Sequence, residues 1–217
     1  MKKIGKNSGN YILGLDVSTK TIGIALFEDA GDKGNIQILT HVTPNIKPKP
    51  AEKLEELFLK AEVFEDFIKK YATIGIKKVV IEEPLLSSNN VNTVGVLKMY
   101  NGIISRIVYK VLGVVPEFIS SYDSRKYAFP ELMEVRQYDK KGNKYPDKKI
   151  ETAKPVLFGG FPWDVDKKVV IWEKIADMEP QITWLYNRNK VLSKENYDMT
   201  DAYCVVLAKM KRDGIWK

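Results

Sequence analysis

The sequence predicts a mixed α/β fold, a sheet layered with helices. Strand-length runs rich in Val, Ile and Leu recur at residues 11–17, 21–28, 35–43 and 77–83. Between and beyond them, apolar residues at three- and four-residue steps mark amphipathic helices. With 217 residues, 44% of them hydrophobic, the chain can bury a full core. It is expected to form one domain, residues 1–217, with an insertion at 130–166.

The first two strands flank a tight polar turn, Ser18-Thr19-Lys20, and residues 29–34 turn into the third. The run Thr43-Pro44-Asn45-Ile46-Lys47-Pro48-Lys49-Pro50 excludes helix and sheet interior, because proline fixes φ and removes a donor. A helix follows in which Leu54, Leu57, Phe58, Ala61, Phe64, Phe67, Ile68 and Tyr71 share one face. The Val- and Ile-dense strand at 77–83 is expected to be central. A helix over 91–112 carries Val94, Leu97, Ile104, Val108 and Val111 on one side and Val96, Ile103 and Ile107 on another. Burial on both sides is expected, against the sheet and against a second subunit, with Ile104 as a test position; a wholly internal helix is the competing reading. A short fifth strand ends near Ser120, and residues 121–127 form a polar loop or a helix start. Within 130–166, residues 138–149 read as an exposed charged hairpin or loop, and Phe158-Gly159-Gly160-Phe161-Pro162-Trp163 as irregular and aromatic. Helices are predicted over 167–178 and from Asp198 or Met199 to about Arg212.

Chemistry enters through acids at element ends. Asp16 stands where a buried strand emerges into a turn, a costly place for a carboxylate unless positive charge is held there. Glu82 and Glu83 end a second buried strand and point to opposite faces, so one of them can share a site with Asp16. Asp198 and Asp201, three apart, lie on one face of the last helix. Placed in its first turn, they could equally serve as caps that meet the helix dipole. Clustered carboxylates raise one another's pKa and so attract cations. Oxygen-only ligation suits Mg²⁺ or Mn²⁺, and two such ions clamp the attacking and leaving oxygens of an in-line displacement at phosphorus.

The segments Ile12-Leu13-Gly14-Leu15-Asp16, Ile81-Glu82-Glu83 and Asp198-Met199-Thr200-Asp201-Ala202 resemble the three acidic motifs of the RNase H-like superfamily. Within it they look most like those of RuvC-type Holliday-junction resolvases, a family of bacteria and large phages. The resemblance covers roughly residues 10–128 and 165–212. It implies a mixed five-stranded sheet flanked by helices, with Asp16, Glu82, Asp198 and Asp201 as catalytic, metal-binding carboxylates. It further implies two Mg²⁺ or Mn²⁺ ions per site and a homodimer, joined through helix 91–112, that nicks four-way DNA junctions symmetrically. Lys20, Arg125, Lys126, Lys167 and Lys168 are the candidate DNA contacts. One departure is clear. Where the family commonly places an aromatic wedge after the strand Glu, this chain has Leu85 and Leu86.

The charge agrees with a polyanionic partner: 35 Lys and Arg against 28 Asp and Glu give +7. A lone cysteine, Cys204, excludes an internal disulfide and suits a reducing compartment, the cytoplasm of a bacterial or phage-infected cell. No apolar signal core follows Met1-Lys2-Lys3, and no run approaches a membrane span. Ser- or Cys-based catalysis lacks support: His41 is the only histidine, and Cys204 sits within an apolar helix. Three rivals remain: an RNase H-like nuclease acting on other branched DNA or RNA–DNA hybrids, an ATP-binding protein, and a non-catalytic DNA-binding or scaffold protein with a degenerate nuclease fold, against which the presence of all four carboxylates argues. The second arises because Gly14-Leu15-Asp16-Val17-Ser18-Thr19-Lys20 also resembles the first phosphate loop of sugar kinases and actin-like ATPases.

Overall fold

A computed structural model describes residues 9–31, 34–84 and 91–216. Its main sheet has five strands: β1 (Tyr11–Val17), β2 (Ile22–Asp29), β3 (Gly34–Val42), β4 (Ile76–Glu82) and β5 (Glu117–Ile119), in the order β3-β2-β1-β4-β5. The first three pair antiparallel, and β4 and β5 run parallel to β1. The parallel strands require crossovers, and the helices α1 (Lys53–Lys69) and α2 (Val91–Leu112) supply them.

The two-residue period of the strands sorts their side chains between two cores. Tyr11, Leu13, Leu15 and Val17 of β1 join Leu57, Phe64, Ile104 and Val108 of α1 and α2 on one side. Ile12 of β1 and Val80 of β4 face the other, among residues of α3 (Ser121–Ala128), α5 (Lys167–Met178) and α6 (Glu195–Arg212). By the same alternation Asp16 shares the face of Ile12, and Glu82 that of Val80. Both point to the side where α6 lies.

Helix α6 carries an unbroken buried run from Met199 to Met210. Each fully buried Val or Leu in it contributes roughly 1.5–3 kcal/mol, which holds the helix down despite its acids. Its approach to the sheet is backbone against backbone. A Cβ on Gly14 would stand 2.5 Å from the Ala202 carbonyl oxygen, and one on Gly23 would stand 1.9 Å from that of Asp198. Any side chain at either glycine would lift α6 from β1 and β2.

Helix α2 matches its predicted limits, and its two apolar sides are largely covered within the chain. Val94, Tyr100, Ile104, Ile107 and Val108 are buried, while Val96, Ile103, Val111 and Leu112 pack partly against the same cluster. The outward face carries Met99 and Tyr109, both about half exposed. Ile104 is therefore a core residue, at 0% exposure, and not a surface position for a partner. Ile104→Glu would bury an unpaired charge, at a cost of more than about 4 kcal/mol. The expected result is loss of the cooperative melting transition at every protein concentration; a folded, merely monomeric variant would contradict this placement.

Residues 130–166 carry a small antiparallel sheet of β6 (Met133–Val135) and β7 (Pro155–Leu157), with the one-turn helix α4 (Asp147–Glu151) between them. The predicted hairpin at 138–149 is represented by a single bridge, Tyr138 to Lys144, and Asp139 caps its turn through the Lys141 and Asn143 amides. Residues 121–127, left open between loop and helix, form α3, capped by the Ser120 hydroxyl on the Asp123 amide. No helix among the described residues is long and apolar enough to cross a membrane.

Candidate active site

The four predicted acids come from three elements. Asp16 is the penultimate residue of β1 and pairs with Gly23 of β2. Glu82 ends β4 one position beyond Ile81, the partner of Leu15, so the two carboxylates leave adjacent parallel strands at the same edge. The turn that follows Asp16 is locked from several directions. The Ser18 hydroxyl donates to the Thr21 carbonyl (2.8 Å) and accepts from the Thr21 amide (3.0 Å). The Lys60 ammonium of α1 donates to the Thr19 carbonyl at 2.7 Å, and the buried Asn101 of α2 donates to that of Val17 at 3.4 Å.

Asp198 and Asp201 arrive on α6, whose start differs from the prediction. The helix begins at Glu195, so Asp198 lies in its first turn but Asp201 does not, and the capping reading fails for Asp201. The cause is Asn196. Its side-chain amide donates to the Leu185 (2.7 Å) and Ser193 (2.9 Å) carbonyls, and its oxygen accepts from the Leu185 amide (3.0 Å). That clamp fixes the incoming chain and extends the helix before the aspartates.

The four acids act on one another electrostatically. Burial raises Asp16 well above the usual carboxylate range, and Glu82, Asp201 and Asp198 add to the rise. Glu82 is pushed up to about 8, first by burial and then by Asp201, with Arg125 and Lys168 opposing. Asp198 rises to about 6 through burial, although Lys168 and a hydrogen bond from Thr21 restrain it. Asp201, nearly inaccessible to solvent, is held by two cations: Arg125 at 2.8 Å on Oδ1 and Lys168 at 3.3 Å on Oδ2.

Among the described residues no three acids converge closely enough to cage an ion in the conformation shown. Asp201 is engaged instead by Arg125 and Lys168. The donor set nonetheless fits a hard divalent cation. Its oxygens are carboxylate, three of the four groups resist ionisation, and Glu82 Oε2 is buried with no hydrogen-bond partner. A charge brought to that oxygen would relieve both the repulsion and the desolvation.

The predicted basic residues divide. Arg125 and Lys168 reach the acids directly. Lys20 shares with Lys60, Lys168, Lys194 and Asp198 a groove of about 790 Å³ beside the β1–β2 turn. Lys167 lines a separate cleft with Arg125. Lys126 is not brought to the acids; its ammonium lies over the Tyr127 ring. The residues overlooked in the sequence are Gly14, Gly23, Thr21 and Asn196, which set the position of α6. The leucines in place of an aromatic wedge, Leu85 and Leu86, lie outside the described residues.

This architecture, a mixed five-stranded sheet with flanking helices and acids at one strand edge, is an RNase H-like α/β fold, as the resemblance implied. RuvC of Thermus thermophilus, in a structure of its complex with a Holliday junction substrate, matches with a TM-score of 0.56 and 8% identity, covering 94% of each chain. A second Thermus thermophilus RuvC structure matches with a TM-score of 0.52 and 10% identity, covering 94% of this chain and 95% of that one. A Ppx/GppA protein of Aquifex aeolicus gives a TM-score of 0.37 over 57% of this chain and 39% of that one, at 12% identity, too slight a likeness to weigh. No protein-family model and no curated protein matches the chain.

Proposed function

We propose that this chain is a metal-dependent endonuclease selective for branched DNA, which cuts four-way junctions by paired symmetric nicks as a homodimer. The observation that carries the reading is the electrostatic clustering of Asp16, Glu82, Asp198 and Asp201 at one sheet edge, with buried Glu82 Oε2 unsatisfied. The RuvC-like fold supports it, since that fold in Thermus thermophilus has been seen with a Holliday junction.

Asp16, Glu82 and Asp198 are the groups that would hold Mg²⁺ or Mn²⁺, with Asp201 joining as it leaves its cationic partners. Such ions supply an activated water and charge stabilisation at the leaving 3′ oxygen. The chain's own part is positional. Helix α6 sets the aspartates against β1, and Arg125 and Lys168 bring two positive charges to where a phosphate would lie. Lys20, Lys60 and Lys194 extend that charge along the neighbouring groove and would position the backbone of the strand without reading its sequence. Two copies are needed for paired nicks, and the outward face of α2, with Met99 and Tyr109, is open for their contact.

The decisive test incubates the chain with a four-way junction, a flap, a plain duplex and an RNA–DNA hybrid, each with Mg²⁺ or EDTA. Symmetric nicks in the junction alone, abolished by EDTA, are the expected result. Cutting confined to the flap or hybrid would assign the site to another branched or hybrid substrate. Nucleotide hydrolysis without cutting would favour the ATP-binding rival.

A further inference from the structure

A second opening, separate from the Lys20 groove, meets the acids through Arg125. It is a cleft of about 280 Å³ between α3 and the end of β7, lined by Tyr122, Arg125, Val156, Leu157, Phe158 and Lys167 together with Ser121. Arg125, in its wall, is the residue whose guanidinium grips Asp201. The cleft and the catalytic edge therefore meet at one side chain.

The walls differ in chemistry from the lysine-rich groove. Val156 and Tyr122 offer exposed apolar and aromatic surface, and the Tyr122 ring is about half exposed. Its hydroxyl rests on the Met133 sulfur at 3.9 Å, which props the ring against the 130–166 segment. Lys167 stands at the cleft with its ammonium 5.9 Å from the Phe158 ring centre. Phe158 itself is wholly buried and held at φ +60°, a left-handed conformation that a bulky residue adopts only under constraint. The constraint is visible: Arg136 donates to the carbonyls of Phe158 (2.9 Å) and Phe161 (3.1 Å), and the Phe158 amide donates to Leu132 at 2.8 Å. Strain of this kind is retained where the surroundings over-determine it, and it concentrates at ligand clamps.

We propose that this cleft holds one unpaired nucleotide of the cut strand, next to the scissile phosphate. The inference rests on the nuclease reading and deepens it, because it makes the substrate single-stranded on one side of the cut. An aromatic face, an apolar wall and two cations, at the small end of the size range of ligand sites, match a nucleobase with its phosphate. Tyr122 supplies the stacking surface, Val156 and Leu157 the opposite wall, and Lys167 and Arg125 the charge. The separate groove of Lys20, Lys60 and Lys194, which includes Asp198, has ammonium groups suited to backbone phosphates. The cut would then fall at the boundary between paired and unpaired strand.

The test uses the full chain in EDTA with a fluorescein-labelled single-stranded hexanucleotide, and a four-way junction carrying 2-aminopurine at successive positions around the cut. Tyr122→Ala, a change at an exposed side chain checked by unchanged melting, should weaken hexanucleotide binding roughly tenfold. Tyr122→Trp should restore it. One 2-aminopurine position should change its fluorescence with wild type and not with Tyr122→Ala. Equal binding by the two proteins, or no position that distinguishes them, would overturn the proposal. The parent reading fails separately: a chain that binds through Tyr122 but cuts no nucleic acid keeps its cleft and loses its nuclease role. A chain that cuts junctions without any dependence on Tyr122 does the reverse.

Discussion

Replacing Asp16 with Asn should abolish Mg²⁺-dependent cleavage while leaving binding to branched DNA intact or tighter. Asp16 is the carboxylate at the centre of the mutual repulsion, raised first by burial and further by Glu82, Asp201 and Asp198. Removing its charge takes away the attraction for a divalent ion and relieves that repulsion in the same step. Metal assistance is worth several kcal/mol of transition-state stabilisation, so the cleavage rate should fall by about three powers of ten or more. Gel-shift affinity for the junction in EDTA should hold or rise, because an acid that repels phosphate has left the site. Lost binding, with undiminished cutting of whatever complex still forms, would show that Asp16 serves the fold or the DNA and not the chemistry.

The second large effect concerns Glu82 and pH. With its carboxyl pushed up to about 8 by burial and by Asp201, Glu82 keeps a proton in the metal-free folded chain that the unfolded chain releases. Stability therefore falls as pH rises from the ordinary carboxylate range to about 8, then levels off. Glu82→Gln cannot ionise. Its advantage in chemical denaturation should be absent near pH 5 and reach on the order of 2–4 kcal/mol near pH 9. For the wild type, Mg²⁺ should raise the melting temperature more at pH 8 than at pH 6, because below about 8 the ion must displace a proton. A Glu82→Gln protein no more stable than wild type at pH 9 would mean that Arg125 and Lys168 already neutralise the site.

What could be read in the sequence follows from the range of each interaction. Asp16 and Glu82 were legible because a carboxylate ending a buried apolar strand breaks a two-residue pattern that is otherwise clean. The limits of α2 were legible for a similar reason, since a 22-residue apolar periodicity outweighs local noise. Which of its sides meets solvent was not, because that depends on where α1 packs. The start of α6 was misplaced by three or four residues because Asn196 satisfies backbone groups of Leu185 and Ser193, a pairing no local pattern announces. The cations on Asp201 come from positions 76 and 33 residues earlier in the chain, so basic residues could be named without their partner. Strands β6 and β7, three residues each, are too short for any period to emerge.

The contact of α6 with Gly14 and Gly23 carries a consequence for how this protein can change over time. Main-chain atoms of the helix meet both strands, with the Val206 side chain also against Gly14, so the offset between Asp16 and the two helical aspartates rests largely on backbone contact. Mutations elsewhere in the interior can then accumulate without moving the acids apart. A scaffold of this kind tolerates drift in the rest of its interior, provided two hydrogen atoms are never exchanged for methyl groups.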